Sequence, residues 1–138
     1  MVGGLPMSTP SKPLQSSKHG ILIFAHGSSD PEWTAPVRAV QAQLAQKFPN
    51  RVVTTAYLER ASPDFFQAAR QMVQDGATTI VLLPFFLGVG KHLKEDLPVM
   101  ISSFLNEHPG VHIRQLPAVG QANGFASWVA TLIDDTTA

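Results

Sequence analysis

From Gly20 onward, short apolar or β-branched runs alternate with stretches whose apolar residues recur every three or four positions. Ile21–Ala25 (ILIFA) is apolar throughout, as expected of a strand covered on both faces. Helical spacing follows at Val37, Val40, Leu44 and Phe48, and Pro49-Asn50 ends it. Arg51–Leu58 is rich in β-branched residues and predicts the second strand. Ser62 as N-cap, Pro63 at the first position and Asp64 in the first turn predict the second helix, whose apolar face runs from Phe65 to Val73 and which Gly76 can end. Thr78–Phe86 reads as strand three, and Met100, Ile101, Phe104 and Leu105 give a third helix. VHIRQLPA supplies strand four, and Phe125, Val129 and Leu132 mark a last helix. Pro36 and Pro98 would break helix interiors, so helix starts capped by Thr34 and Asp96 are expected. The pattern predicts one doubly wound α/β domain: a four-stranded parallel sheet flanked by helices.

At 138 residues the chain suits a single domain. The first 19 residues are expected to be a disordered extension and 20–135 the domain. Ten basic and ten acidic residues cancel, which speaks against a phosphate-neutralising nucleic-acid binder and a polybasic membrane surface. Cysteine is absent, so disulfides, thiolate metal sites and cysteine nucleophiles are excluded. No apolar run approaches the roughly 20 residues that span a bilayer, and the N-terminus lacks a signal-peptide pattern. A cytoplasmic protein without a membrane or nucleic-acid partner is expected.

Ligands of open parallel sheets bind beyond the carboxyl ends of the strands. His26 follows strand one, Glu59 follows strand two, and His92 follows the loop after strand three, so all three are expected at one rim. One histidine at a strand end commonly ties down a loop. Two imidazoles and a carboxylate after successive strands suit a borderline divalent metal and also proton removal near neutrality. Gly27-Ser28-Ser29 lets the backbone approach a ligand, Asp30 can cap the segment after it, and the same turn could cradle a phosphate. Gly88-Val89-Gly90 forms a lip beside Phe85, Phe86 and Leu87 that would suit a large flat ligand. Arg60, Lys91 and Lys94 near the rim would meet an acidic substrate, whereas Lys94-Glu95-Asp96 reads as loop and capping chemistry. His19, His108 and His112 receive no role.

At AHGSSDP, YLERASPDF and TTIVLLPFFLGVGKHLKEDLP the chain resembles the short class II tetrapyrrole chelatases, the CbiX type of sirohydrochlorin chelatase. The likeness runs from about Ile21 to the last helix. It implies a chelatase-like half-lobe that inserts a divalent metal into sirohydrochlorin for cobalamin or sirohaem biosynthesis. Cobalt and ferrous iron lead, nickel follows, and the metal is a substrate with no organic cofactor. The resemblance assigns the metal to His26 and His92 and proton acceptance to His26, with Glu59 assisting. It brings Ser62 and Leu87, Gly88, Val89, Gly90 and Lys91 to the macrocycle. Ser29 replaces an arginine common in relatives, and Lys91 a small or apolar residue, so both bear on substrate preference. Longer members have two lobes around a cleft, so a homodimer is expected here. Two other readings are a non-catalytic metal or tetrapyrrole carrier and phosphoryl transfer through His26. The latter normally needs an arginine before the histidine, where this chain has Ala25.

Overall fold

The computed structural model describes residues 18–137. Its strands are β1 (Lys18–Ala25), β2 (Val52–Tyr57), β3 (Ala77–Pro84) and β4 (His112–Gln115). The helices are α1 (Pro31–Lys47), α2 (Phe65–Gln74), α3 (Lys91–Glu107) and α4 (Phe125–Thr137), with a 3₁₀ turn at Val119–Gln121. The four strands form one sheet in the order β2-β1-β3-β4, every pair parallel. β1 begins at Lys18, which pairs with Ala77, so the domain starts two residues before the expected boundary. The rest of the expected N-terminal extension lies outside the described residues.

β1 is central and its side chains serve both faces. Leu22 and Phe24 join Phe65, Ala69 and Met72 of α2 and Leu97 and Phe104 of α3 in the larger core. Ile23 and Ala25 face the other way, against Val37, Val40 and Leu44 of α1. This is why β1 is apolar at every position from Ile21 to Ala25 rather than at alternate ones. Full burial of a side chain such as Phe24 or Leu22 contributes about 1.5–3 kcal/mol.

All three of the first helix starts differ from the sequence expectation. α1 starts at Pro31 rather than after Thr34: Asp30 is the N-cap, its carboxylate accepting from the Glu32 N–H at 2.9 Å. Asp64, not Ser62, caps α2, in a reciprocal capping box with Gln67. α3 starts at Lys91 after Gly90, so Lys91, His92 and Lys94 are helical, and Lys94-Glu95-Asp96 is helix rather than loop. Pro36 and Pro98 consequently lie inside helices, where a proline costs about 3 kcal/mol. Both are exposed, so the carbonyls deprived of their helical N–H, those of Glu32 and Lys94, are on hydrated faces. In α1 the Arg38 guanidinium also ties the Pro31 carbonyl (3.1 Å) to the Thr34 hydroxyl, bracing the turn before Pro36. Gly76, at φ 101°, ends α2 as expected.

Candidate metal and tetrapyrrole site

The register of the sheet builds the rim. Ala25 pairs with Tyr57 and Phe24 with Pro84, so three neighbouring strands end level and the residues after them emerge side by side. Two further backbone bonds extend the pairing past the strands: Leu58 N–H to the Ala25 carbonyl (2.8 Å) and Phe85 N–H to the Phe24 carbonyl (2.7 Å). The next residues along these strands are His26, Glu59 and Phe86.

His26 and Glu59 meet there. The Glu59 carboxylate accepts from His26 Nδ1 at 2.9 Å through Oε1, and from the Gly27 N–H at 3.2 Å through Oε2. An ionised carboxylate only accepts, so the pair fixes the imidazole proton on Nδ1 and leaves the Nε2 lone pair for a metal or a proton. Partial desolvation pushes the Glu59 carboxyl up. The hydrogen bonds from His26 and Gly27, with the attraction of His26, outweigh it and hold the group below its ordinary range. The buried Phe86 ring meets the imidazole edge-on at 4.8 Å and restricts its rotation from the other side.

Glycine is required at two points of this scaffold. A Cβ on Gly27 would stand 2.0 Å from the Glu59 carbonyl oxygen, so only glycine lets the two loops close enough for the carboxylate to bridge. A Cβ on Gly120, in the 3₁₀ turn, would stand 1.9 Å from the Leu87 carbonyl oxygen. The Gly120 N–H also donates to the Phe86 carbonyl at 3.0 Å, so the turn after β4 clamps the base of the lip. Beyond that clamp, Leu87, Gly88, Gly90 and Lys91 are exposed and Val89 is half-buried. Arg60, exposed and at φ 64°, turns the chain immediately after Glu59, and Ser62 is exposed ahead of α2.

His92 is not bonded to the pair. It is exposed in the first turn of α3, and no hydrogen bond or ion pair holds it among the described residues. Nor, among those residues, do three His, Asp or Glu side chains converge closely enough to enclose a metal. The structure thus joins two of the three expected polar residues. It also adds a wall that the sequence pattern does not announce: Glu32, Trp33, Pro36 and Val37 of α1 enclose, with Ala25, His26 and Phe85, a cavity of about 400 Å³. The available signal was Trp33, an aromatic set just after the Asp30 cap. A smaller cavity of about 190 Å³ lies between Val89, α3 and Gln115, with Lys94 as its charged lining residue and no histidine. Of these two cavities, only the one against α1 has a histidine in its wall.

The sequence model of the CbiX family matches residues 20–136. The sirohydrochlorin cobaltochelatase of Methanococcoides burtonii is 34% identical over 86 residues, which are 62% of this chain and 66% of that protein. The chloroplastic sirohydrochlorin ferrochelatase of Arabidopsis thaliana is 32% identical over 67% of this chain and 41% of its own length. The crystal structure of a CbiX protein of Marinobacter aquaeolei superposes with a TM-score of 0.75 at 28% identity, covering 86% of this chain and 97% of that one. The sirohydrochlorin chelatase SirB of Bacillus subtilis, in complex with cobalt, gives 0.73 at 24% identity and has the same fold. The match takes 86% of this chain but only half of SirB.

Proposed function

Since the chain belongs to the CbiX family, we propose that it is a sirohydrochlorin chelatase that inserts cobalt or ferrous iron, and less readily nickel, into the macrocycle. The observation that carries this reading is the His26–Glu59 pair at the strand rim, an imidazole whose Nε2 lone pair is left open by a carboxylate on Nδ1. The domain doing this work would be the unit from β1 to α4. Its products would serve cobalamin or sirohaem biosynthesis in the cytoplasm. Among the described residues no helix is long and apolar enough to cross a membrane.

Metallation exchanges a divalent cation for two pyrrole protons. His26 first holds the cation through Nε2, assisted by His92 from the start of α3. Two imidazoles that do not form a closed cage hold a metal weakly, which suits a cargo that must leave. When the cation passes to the ring nitrogens, the Nε2 lone pair is released and accepts one of the protons. Glu59 stabilises the resulting imidazolium through Nδ1–H, and the second proton leaves to solvent. These steps need no organic cofactor.

Ser62 and the lip Leu87, Gly88, Val89, Gly90 and Lys91 would border the macrocycle, with Arg60 and Lys91 meeting its carboxylates. Ser29 and Lys91 would tune which substituents are accepted. A homodimer would bring a second copy of this lobe to the site. The exposed Trp128, Val129 and Leu132 of α4 support that arrangement. Light scattering during size exclusion checks it: a monomer at micromolar concentration would rule it out.

The test of function is anaerobic absorbance of sirohydrochlorin with Co²⁺, Fe²⁺ or Ni²⁺ at catalytic protein levels, wild type beside His26→Ala and His92→Ala. Many turnovers, lost in both variants, are expected. A bound spectrum without turnover would make the protein a carrier, and no spectral change with any metal would refute the reading.

A further inference from the structure

The lip after β3 offers the macrocycle one border, and the opposite side of His26 is closed by α1. We infer that the tetrapyrrole seats one edge in the cavity between α1 and Phe85, with the Trp33 indole as its stacking surface. Trp33 thereby determines substrate affinity, an inference that rests on the chelatase reading for the identity of the ligand. The cavity contains His26 itself, and Ala25, Trp33, Pro36, Val37 and Phe85 make most of its wall apolar. At about 400 Å³ it falls near the lower end of the roughly 300–1,000 Å³ of small-molecule sites, room for part of a tetrapyrrole. The rest would extend over the rim toward Leu87 and Lys91.

Three features of α1 point the same way. Trp33 is 63% exposed, although tryptophan is a residue whose large apolar body usually finds cover. No aromatic ring stacks on it among the described residues. Pro36, one turn further on, lacks an N–H, so this part of the wall presents no backbone donor, and the helix tolerates the break because Arg38 braces the preceding turn. A local rule broken beside a reactive histidine is where a functional demand is expected. α1 itself is fixed to the sheet: Thr55 of β2 donates its hydroxyl to Gln41 Oε1 at 2.7 Å. The wall's one charge, Glu32, is negative and would not attract the carboxylates of the substrate. Binding on this side therefore comes from apolar stacking and resists salt, while Arg60 after β2 and Lys91 at the start of α3 supply the salt-sensitive part.

The chain has two tryptophans, Trp33 and Trp128. Anaerobic titration of metal-free sirohydrochlorin, followed by tryptophan fluorescence in the wild type and in Trp33→Phe, isolates the Trp33 signal by difference. Saturable quenching of Trp33 is expected. Trp33→Ala should weaken tetrapyrrole binding about 5- to 100-fold, the span for losing one stacked aromatic surface, with Trp33→Phe in between. The loss should persist in about 0.5 M salt, where the screening length falls to roughly half its physiological value. It should appear in KM rather than kcat. Unquenched Trp33, or unchanged affinity in Trp33→Ala while metallation proceeds, overturns this inference and leaves the chelatase reading intact. Quenching and weakened binding without metallation by any metal would refute the chelatase reading and leave the seat in place.

Discussion

Replacing Glu59 by glutamine separates a residue that positions His26 from one that ligates the metal. The carboxylate accepts at both oxygens, from His26 Nδ1–H and from the Gly27 N–H. A carboxamide of the same shape accepts at only one. If its oxygen keeps His26, its NH₂ opposes the Gly27 N–H. If it turns over, it donates to Nδ1 and forces the imidazole proton onto Nε2, where it blocks both metal and proton uptake. Loss of a group orienting a ligating histidine typically costs 10- to 100-fold in affinity or activity, about 1.4–2.8 kcal/mol. The stability change should be much smaller, below about 1 kcal/mol, because the two side chains are 54% and 43% exposed and solvent screens the pair. Anaerobic cobalt insertion gives the rate, thermal melting the stability, and nitrogen chemical shifts of His26 the tautomer. Unchanged turnover in Glu59→Gln would refute the positioning role. Inactivation as complete as in His26→Ala, with the tautomer unchanged, would instead make Glu59 a metal ligand.

The Glu59 contact should also register in the pH dependence of stability. A carboxyl held below its ordinary value contributes fully above about pH 4.5, and its contribution is lost as pH falls from there through the lower folded value. The difference in unfolding free energy between wild type and Glu59→Gln should therefore be flat near neutrality and shrink only in acid; a difference that grows in acid would contradict this. Gly27→Ala must push the Glu59 loop away from His26, with an expected cost of about 1–3 kcal/mol in denaturant melts and loss of metallation; an unshifted melt would show that the loops yield freely. Gly120→Ala acts on the Leu87 carbonyl, far along the chain from His26, so it should raise KM for the tetrapyrrole more than it lowers kcat. Steady-state kinetics check this, and equal loss in both would place the damage at His26.

The uninterrupted apolar run Ile21–Ala25 determined by itself that β1 is covered on both faces. The alternation that follows it determined the four strands, the helices between them, and a rim carrying His26 and Glu59. Local chemistry was enough because a strand that serves two cores has no position to spare for a polar side chain. The helix starts were decided by the tertiary structure. Pro36 and Pro98 read as first-turn residues, yet both sit in helix interiors because their faces stay hydrated and Arg38 bonds across the turn before Pro36. Starting α1 at Pro31 instead of after Thr34 is also what places Trp33 on a helix beside His26 rather than in a loop. The bridge from Glu59 to both His26 and Gly27 likewise spans residues about thirty positions apart, and no local pattern encodes it. It forms because β1 and β2 end in register and Gly27 has no side chain to hold their loops apart.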